Sequence, residues 1–284
     1  MKPATTTISI ESSSCIKCGK CAQVCPAGIM VQKKKGREIG LQHTDTCIAC
    51  GHCVDVCPTG SVIHSTFPAE KLHTIDYSLL PAPQQVLLLM KSRRSNRAMT
   101  TQSVPREMLE QIVEAARYAP TATNAQQLSF TIITEPEQLL QVSDFTIGVF
   151  DSLAKKLMNP LVKCLLKPFL RDVYKYVPTF RRLKQQHEAG NDPILRKATA
   201  LLIFHTPESN RFGCEDANLA YQNASLMAQS LGISQIYMGF VITAIKQEGK
   251  GTLARKLGIN GKIQAIMALG IPAFQYPRYT DRYL

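Results

Sequence analysis

Two stretches of this chain, CIKCGKCAQVCP from Cys15 to Pro26 and CIACGHCVDVCP from Cys47 to Pro58, are copies of one pattern, C-x2-C-x2-C-x3-C-P. Eight of the ten cysteines of the 284-residue chain lie in them. Three thiolates on so tight a loop face one side of a compact object, while the fourth, followed by proline, points elsewhere. The opening residues, MKPATTTISIESSSC, contain no apolar run of the kind a secretory leader needs. The expected setting is therefore the reducing cytoplasm, where clustered cysteines serve as metal ligands rather than disulfides.

Soft thiolates suit zinc as well as iron–sulfur clusters. Zinc sites pair C-x2-C units across a longer gap and need neither a third close cysteine nor the C-P ending. The doubled pattern resembles that of bacterial two-cluster ferredoxins, in which the fourth cysteine of each copy ligates the other cluster. The expected assignment is thus two crossed [4Fe–4S] clusters. Cys15, Cys18 and Cys21 take Cys57, and Cys47, Cys50 and Cys53 take Cys25. Crossing makes the two copies one folding unit, so loss of either cluster disorders both. Gly19 and Gly51 are expected where backbone passes close to inorganic sulfide. KKKGREIG between the copies reads as a solvated hairpin tip, with docking of an acidic electron carrier as its other use. His43, His52 and His64 read as neighbours of the ligands, not as ligands.

The remainder is long enough for a domain with its own core, and 45% of the chain is hydrophobic. The formal charge of +12 is answered in part by anionic cofactors, so nucleic acid is not an expected partner. No membrane span is expected; the nearest candidate, 145–170, is interrupted by Lys155, Lys156, Lys163 and Lys167. The organisation expected is a two-cluster domain at 1–66, a proline-bearing connector at 67–83 and a second domain at 84–284. In the latter, Pro105 opens an amphipathic helix with Met108, Leu109, Ile112, Val113 and Ala116 at helical spacing. LSFTIIT, ATALLIFHT, ISQIYMGF and KIQAIMALGIP read as strands, and EDANLAYQNASLMAQSLG as a helix ended by Gly232. Neither G-x-G-x-x-G nor G-x-x-x-x-G-K-[ST] occurs.

RRSNR, AARYAPTATNAQQLSF, SLGISQIYMGF and ALGIPAFQYPR, in that order, resemble the nitroreductase superfamily of FMN enzymes over residues 84–284. With the cysteine repeat ahead of them, the whole resembles a ferredoxin–nitroreductase fusion of anaerobes. The resemblance implies an α+β fold: a ferredoxin-like domain joined to an α+β sandwich that forms an intertwined homodimer. It implies FMN, its phosphate and ribityl chain held by Arg93, Arg94, Ser95 and Arg97, with Arg278 closing on the phosphate. Asn124 and Gln126 correspond to amides at the ribityl chain or ring edge. Tyr237, Met238 and Gly239 correspond to the strand end against the isoalloxazine. The helix from Glu215 to Leu231 is expected to supply the dimer core. Many relatives carry Pro-Trp after the asparagine–glutamine element, where this chain has Gln127-Leu128 and no tryptophan anywhere.

Residues 151–197 are rich in lysine and arginine, interleaved with Leu157, Leu161, Leu165, Leu166 and Phe169. They read as amphipathic helices covering the flavin with solvated basic faces; the alternatives are a basic lid or insert suited to an anionic substrate or an acidic ferredoxin, and a membrane-surface role, with Tyr174 and Tyr176 toward the pocket. Cys164 and Cys214 read as buried apolar residues. The function implied is an oxidoreductase that takes electrons from a low-potential donor such as ferredoxin and delivers them to a small-molecule acceptor: a nitro, quinone or activated alkene compound. The other readings are an electron-transfer module serving a protein partner and a specialised flavin enzyme such as a dehalogenase. No catalytic side chain is assigned.

Overall fold

The computed structural model describes residues 6–169 and 171–282, the side chain of Leu166 aside. The domain ends expected at Met1 and Leu284, Leu170, and the packing of Leu166 lie outside what it describes. Contacts divide the chain into two units, Met1–Pro81 with Thr121–Gln126, and Ala82–Pro120 with Gln127–Leu284.

In the first unit, β1 (Ile8–Ile10) pairs antiparallel with β4 (Val62–His64), and β2 (Met30–Val31) with β3 (Gly40–Leu41). Two short helices, α1 (Lys20–Val24) and α2 (His52–Asp55), follow the first cysteines of each copy. The sequence repeat is also a backbone repeat. Lys17 and Ala49, at the same motif position, both take φ near 50° (56° and 50°), and Gly19 and Gly51 take 75° and 80°. These left-handed residues turn the chain sharply enough for three sulfurs to face one volume. Glycine adopts that conformation freely, whereas Lys17 and Ala49 adopt it at a cost of about 1–2 kcal/mol. The apolar core is small: Cys21, Met30, Val54 and Val62 are its buried members. Residues 32–39 form the tip between β2 and β3, with Lys33, Lys34 and Lys35 at its solvent side.

The connector contains single 3-10 turns at Ala69–Lys71 and Tyr77–Leu79. The second unit then begins with α3 (Pro83–Ser92) and α4 (Arg106–Arg117). β5 (Ser129–Ile133), α5 (Pro136–Met158), α6 (Pro160–Leu166), α7 (Arg171–Tyr174), α8 (Val177–Glu188) and β6 (Ala200–Thr206) follow. The chain continues through α9 (Gly213–Ser230), β7 (Ser234–Tyr237), α10 (Gly239–Glu248), α11 (Thr252–Lys256) and β8 (Lys262–Gly270). The four strands form one antiparallel sheet in the order β5-β6-β8-β7.

Helices cover both faces of this sheet. Leu201 and Ile203 of β6 and Ile266 and Ala268 of β8 pack with α5, α8 and α10. Ala200, Leu202 and Phe204, with Ala265, Met267 and Leu269, pack with α4 and α9. Side chains alternate across a strand, so a central strand covered on both faces is apolar at nearly every position. That explains ATALLIFHT in an antiparallel sheet. On α4, Leu109, Ile112, Val113 and Ala116 are buried, as their spacing predicts.

The small-residue face of α9 packs within the chain: Ala217, Ala220, Ala224 and Ala228 are all 0% exposed in that second layer, while Leu219 on the same helix is 48% exposed, because small side chains let α9 approach α4 and the sheet closely. Two expectations need correction. The 151–197 segment is helical, but only part of its apolar content faces inward. Leu157 is buried, whereas Leu161, Leu165 and Phe169 are 76%, 70% and 85% exposed. Helical spacing defines a common face without saying whether anything covers it. Cys164 and Cys214 are exposed, on α6 and on the first turn of α9.

Elsewhere the basic segment is pinned to α5 and its own helices. Asp151 accepts ion pairs from Lys155 (2.8 Å) and Lys184 (3.0 Å), Phe150 stacks on Phe180 at 4.5 Å, and Tyr174 donates to the Leu157 carbonyl. Tyr176 lies over Phe180, with ring centroids 6.3 Å apart. Among the described residues no helix is long and apolar enough to cross a membrane.

Candidate cofactor sites

The eight motif cysteines line two cavities of the first unit. Cys15, Cys18, Cys21 and Cys57 line one, with Ile10, Ile39 and Val62. Cys25, Cys47, Cys50 and Cys53 line the other, with Ile8, Ile29, Met30 and His64. The structure therefore brings together three cysteines of one copy and the fourth of the other, in both directions. Each set of four sulfurs lines one cavity. This donor set fits a cubane, whose four irons each take one thiolate.

The electrostatics follow the same crossing. Burial pushes the Cys53 thiol up to about 11, with the charges of Cys50, Cys25 and Cys47 adding to it. Burial likewise raises Cys21, with Cys57 and Cys15 adding. The cysteines before proline behave oppositely. Burial raises Cys25, but the backbone N–H groups of Met30, Ile29, Ala27 and Gly28 outweigh it, and the thiol lies below its ordinary value. Burial also raises Cys57, where the Thr59 N–H and hydroxyl and the N–H groups of Ser61 and Val62 prevail. Each fourth cysteine thus sits in a nest of donors that favours thiolate, the ligand form.

His64 is 3% exposed. Its Nδ1 accepts from the Thr66 N–H at 3.2 Å, and its Nε2 lies 3.5 Å from the Cys47 sulfur. A backbone N–H only donates, so in the neutral ring the proton is on Nε2 and is donated to that sulfur. Burial pulls the imidazole below its usual range, consistent with a neutral ring. The alternation in β4, with Val62 and His64 buried and Ile63 exposed, is the sequence signal for this inward placement.

Asn124 and Gln126 fall in the first unit. Thr123, Asn124 and Gln126 all have φ of 50–52°, which turns this segment tightly. The Asn124 amide donates to the carbonyls of Ile48 (3.0 Å) and Ala49 (2.7 Å), between Cys47 and Cys50, and its oxygen accepts from Gln126 at 3.0 Å. Both amide hydrogens of Asn124 therefore hold the cysteine loop.

In the second unit the remaining candidates gather at one end of β7. Ser95 bridges to Gln235, whose side chain donates to the Arg94 carbonyl (3.2 Å) and accepts from the Tyr221 hydroxyl (2.5 Å). Residues 98–100 run against 271–273 through Thr100 N–H to Ile271 O and Ala273 N–H to Ala98 O. Asn96 donates to Phe274 O, and Arg94 reaches the Thr280 hydroxyl, which binds the tail containing Arg278 to the same segment. Burial raises the Tyr221 phenol; the guanidinium of Arg93 opposes this, so it lies within electrostatic reach. The Tyr221 and Tyr237 rings meet at 4.9 Å.

Among the described residues, Arg93, Arg94, Arg97 and Arg278 make no ion pair with a carboxylate. β7 ends at Tyr237, and Gly239 starts α10, whose first N–H groups lack intrahelical acceptors. A Cβ at Gly239 would meet only Tyr237, at 3.9 Å, leaving open space before that backbone. Guanidiniums without carboxylate partners, with Arg93 in reach of Tyr221 and so of Tyr237 before the open backbone at Gly239, fit a phosphorylated, planar cofactor. Tyr221, Gln235 and Asn96 are supporting residues that the motifs did not single out. Gln235 is 1% exposed, but in a strand that reads Ser-Gln-Ile-Tyr a glutamine does not stand out from the pattern.

Comparison with known proteins finds a family match over each part of the chain. Residues 90–271 match the nitroreductase family, and residues 14–62 match the 4Fe-4S dicluster domain. A curated FMN reductase [NAD(P)H] of Bacillus subtilis (strain 168) is 25% identical over 160 residues, 55% of either chain. The chain thus spans about half the length of that relative. A Bacteroides fragilis nitroreductase with bound FMN matches in structure at a TM-score of 0.53, with 21% identity over 70% of this chain and 95% of its own. A Desulfitobacterium hafniense nitroreductase with bound FMN matches at 0.54, with 17% identity over 70% and 94%. At these identities the structural matches speak to the fold alone.

Proposed function

The chain belongs to the nitroreductase family, with a 4Fe-4S dicluster domain preceding that fold, and on that premise we propose that it is an iron–sulfur flavoprotein oxidoreductase. It takes electrons one at a time from a low-potential donor such as ferredoxin and delivers them in pairs to an organic acceptor, a nitro, quinone or activated alkene compound. When bound, two [4Fe–4S] clusters supply one-electron transfer, and FMN supplies the exchange between one- and two-electron chemistry.

The observation that carries this reading is the presence, in one chain, of two crossed four-cysteine cavities and an unneutralised arginine group beside an open strand end. The chain's own residues do the binding. Cys15, Cys18, Cys21 and Cys57 hold one cluster, and Cys25, Cys47, Cys50 and Cys53 the other. Arg93, Arg94, Arg97 and Arg278 hold the FMN phosphate, Ser95 the ribityl side, and the backbone at Tyr237, Met238 and Gly239 the ring. Asn124 and Gln126 contribute by fixing the loop of Cys47 and Cys50. A homodimer is part of the proposal. In its support, Leu87, Leu88 and Met90 are exposed on α3, suited to a second copy.

The test is anaerobic reconstitution of the full chain, followed by iron, sulfide and flavin analysis and a screen of acceptors with reduced ferredoxin. Eight irons and one FMN per chain, with donor-dependent reduction of a nitro or quinone compound, are expected. Zinc in the cysteine sites or absence of flavin would refute the reading.

A further inference from the structure

The two cysteine cavities are built from one repeat, yet their surroundings differ at one register position. Cys25-Pro26-Ala27-Gly28 and Cys57-Pro58-Thr59-Gly60 continue into IMVQ and SVIH, so Gln32 corresponds to His64. The Gln32 amide donates to the carbonyls of Lys17 and Arg37. His64 instead directs its Nε2–H at the Cys47 sulfur, 3.5 Å away. The Ala49 N–H reaches that same sulfur at 3.3 Å, and the Ile29 N–H reaches Cys25 at 3.3 Å.

Resting on the two-cluster reading above, we propose that His64 makes the two centres electrochemically unequal, holding the one ligated by Cys25, Cys47, Cys50 and Cys53 at the higher reduction potential. One-electron reduction adds one unit of negative charge at either site and breaks no bond. A fixed N–H donor on a ligand sulfur stabilises the more negative state more strongly, which raises the potential.

Three features of the other cavity act in the same direction there, and all are weaker. Thr59 places its hydroxyl 3.7 Å from Cys57, but it is exposed and has a shorter partner in Ser61 at 2.6 Å. Lys17 and Lys20 line that cavity, yet Lys20 is exposed and Lys17 is 41% exposed and pairs with Glu38 at 3.6 Å, so solvent and that carboxylate screen their charges. His64 is buried, with its tautomer set by Thr66. Each ligand loop is held by a side-chain amide, that of Cys47 and Cys50 by Asn124 through Ile48 and Ala49 and that of Cys15 and Cys18 by Gln32 through Lys17, so the difference between the centres rests on His64.

The test is a dithionite titration of the reconstituted full chain with redox mediators, followed by EPR. The wild type should reduce in two resolved one-electron steps. In His64→Leu the higher step should become harder to reduce by about tenfold in equilibrium constant, or about 59 mV for one electron, while the lower step stays. His64→Gln, which keeps an N–H, should move it less, and Thr59→Val should leave the higher step in place. Should His64→Leu lose its cluster, pulsed EPR on wild type labelled with 15N-histidine decides. A nitrogen coupling to the first-reduced centre, lost in His64→Gln, supports the assignment. Coincident steps in the wild type, movement of the lower step, or a coupling to the second-reduced centre would overturn it. Fewer than eight irons per reconstituted chain would overturn the two-cluster reading itself; eight irons with unaltered potentials in His64→Leu would overturn only the role of His64.

Discussion

In the cysteine-bearing unit the buried apolar cluster amounts to Met30, Val54 and Val62 around Cys21. The second unit covers both faces of a four-stranded sheet and buries Leu201, Leu202, Ile203 and Phe204 consecutively along β6. The first is a scaffold of turns whose geometry serves eight sulfurs, and the second is a hydrophobic sandwich whose geometry serves an open strand end. A segment with so little apolar burial derives its folding free energy from metal binding. A sheet buried on both faces derives it from packing. The two units should therefore respond to different insults.

The largest effect is expected from the crossed ligands. Cys57→Ala lies in the second copy, yet it should abolish the centre built on Cys15, Cys18 and Cys21 and loosen the whole first unit. Iron analysis with hydrogen exchange would show fast-exchanging amides through residues 6–66 and unchanged protection on β6 and β8. Protection retained throughout the first unit after iron loss would break the comparison from one side.

A core truncation should do the converse. Phe204 is fully buried, with ring contacts to Phe130 (5.6 Å) and Tyr221 (5.9 Å). Phe204→Ala should cost about 3–5 kcal/mol, measured by denaturation of the second unit. The cluster absorption should persist at low temperature. Bleaching of that absorption in the variant would mean that the units do not fold separately.

Smaller still is the effect of one arginine. Charge-assisted hydrogen bonds are worth about 1.5–3 kcal/mol, so Arg97→Ala should weaken FMN by about ten- to a hundredfold, with iron content unchanged. Titration of the flavin-free protein measures it; an unaltered affinity would remove Arg97 from the phosphate site. At the small end, replacing Lys33, Lys34 and Lys35 by alanine should alter neither stability nor iron content beyond error, since the tip is exposed. If the tip steers an acidic donor, the salt dependence of the donor-driven rate should flatten as the Debye length falls to about 10 Å at 0.1 M.

The first unit was legible in the sequence because a ligand pattern is local: spacing within twelve residues determines which sulfurs face together. The crossing was expected from the resemblance to two-cluster ferredoxins; the proline after each fourth cysteine says only that this cysteine points away from the other three. In the second unit, periodicity identified α4 and the central strands, because burial on one or two faces leaves its period in the residues. It did not reveal what covers Leu161, Leu165 and Phe169, nor that the alanines of α9 are enclosed within a single chain. Those outcomes depend on which other element approaches, information that no single helix carries. Asn124 shows the same limit. Its partners lie 75 and 76 positions earlier in the chain, and the amide that matches a flavin contact by resemblance is engaged with the cysteine loop. His64, a polar residue at an inward position of the strand Val-Ile-His, was visible as an exception to pattern, though its partners were not.

The route of the electrons is the central claim, and Cys18→Ala tests it most directly. Anaerobic stopped-flow would follow flavin bleaching at matched FMN content in this variant and in the intact protein, with reduced ferredoxin or with NADH. The account predicts that ferredoxin reduces the flavin of the intact protein rapidly and that of Cys18→Ala hardly at all, while dithionite-reduced flavin in either protein still passes electrons to a nitro or quinone acceptor. Equal reduction of both flavins by NADH, with ferredoxin making no difference to either, would contradict it.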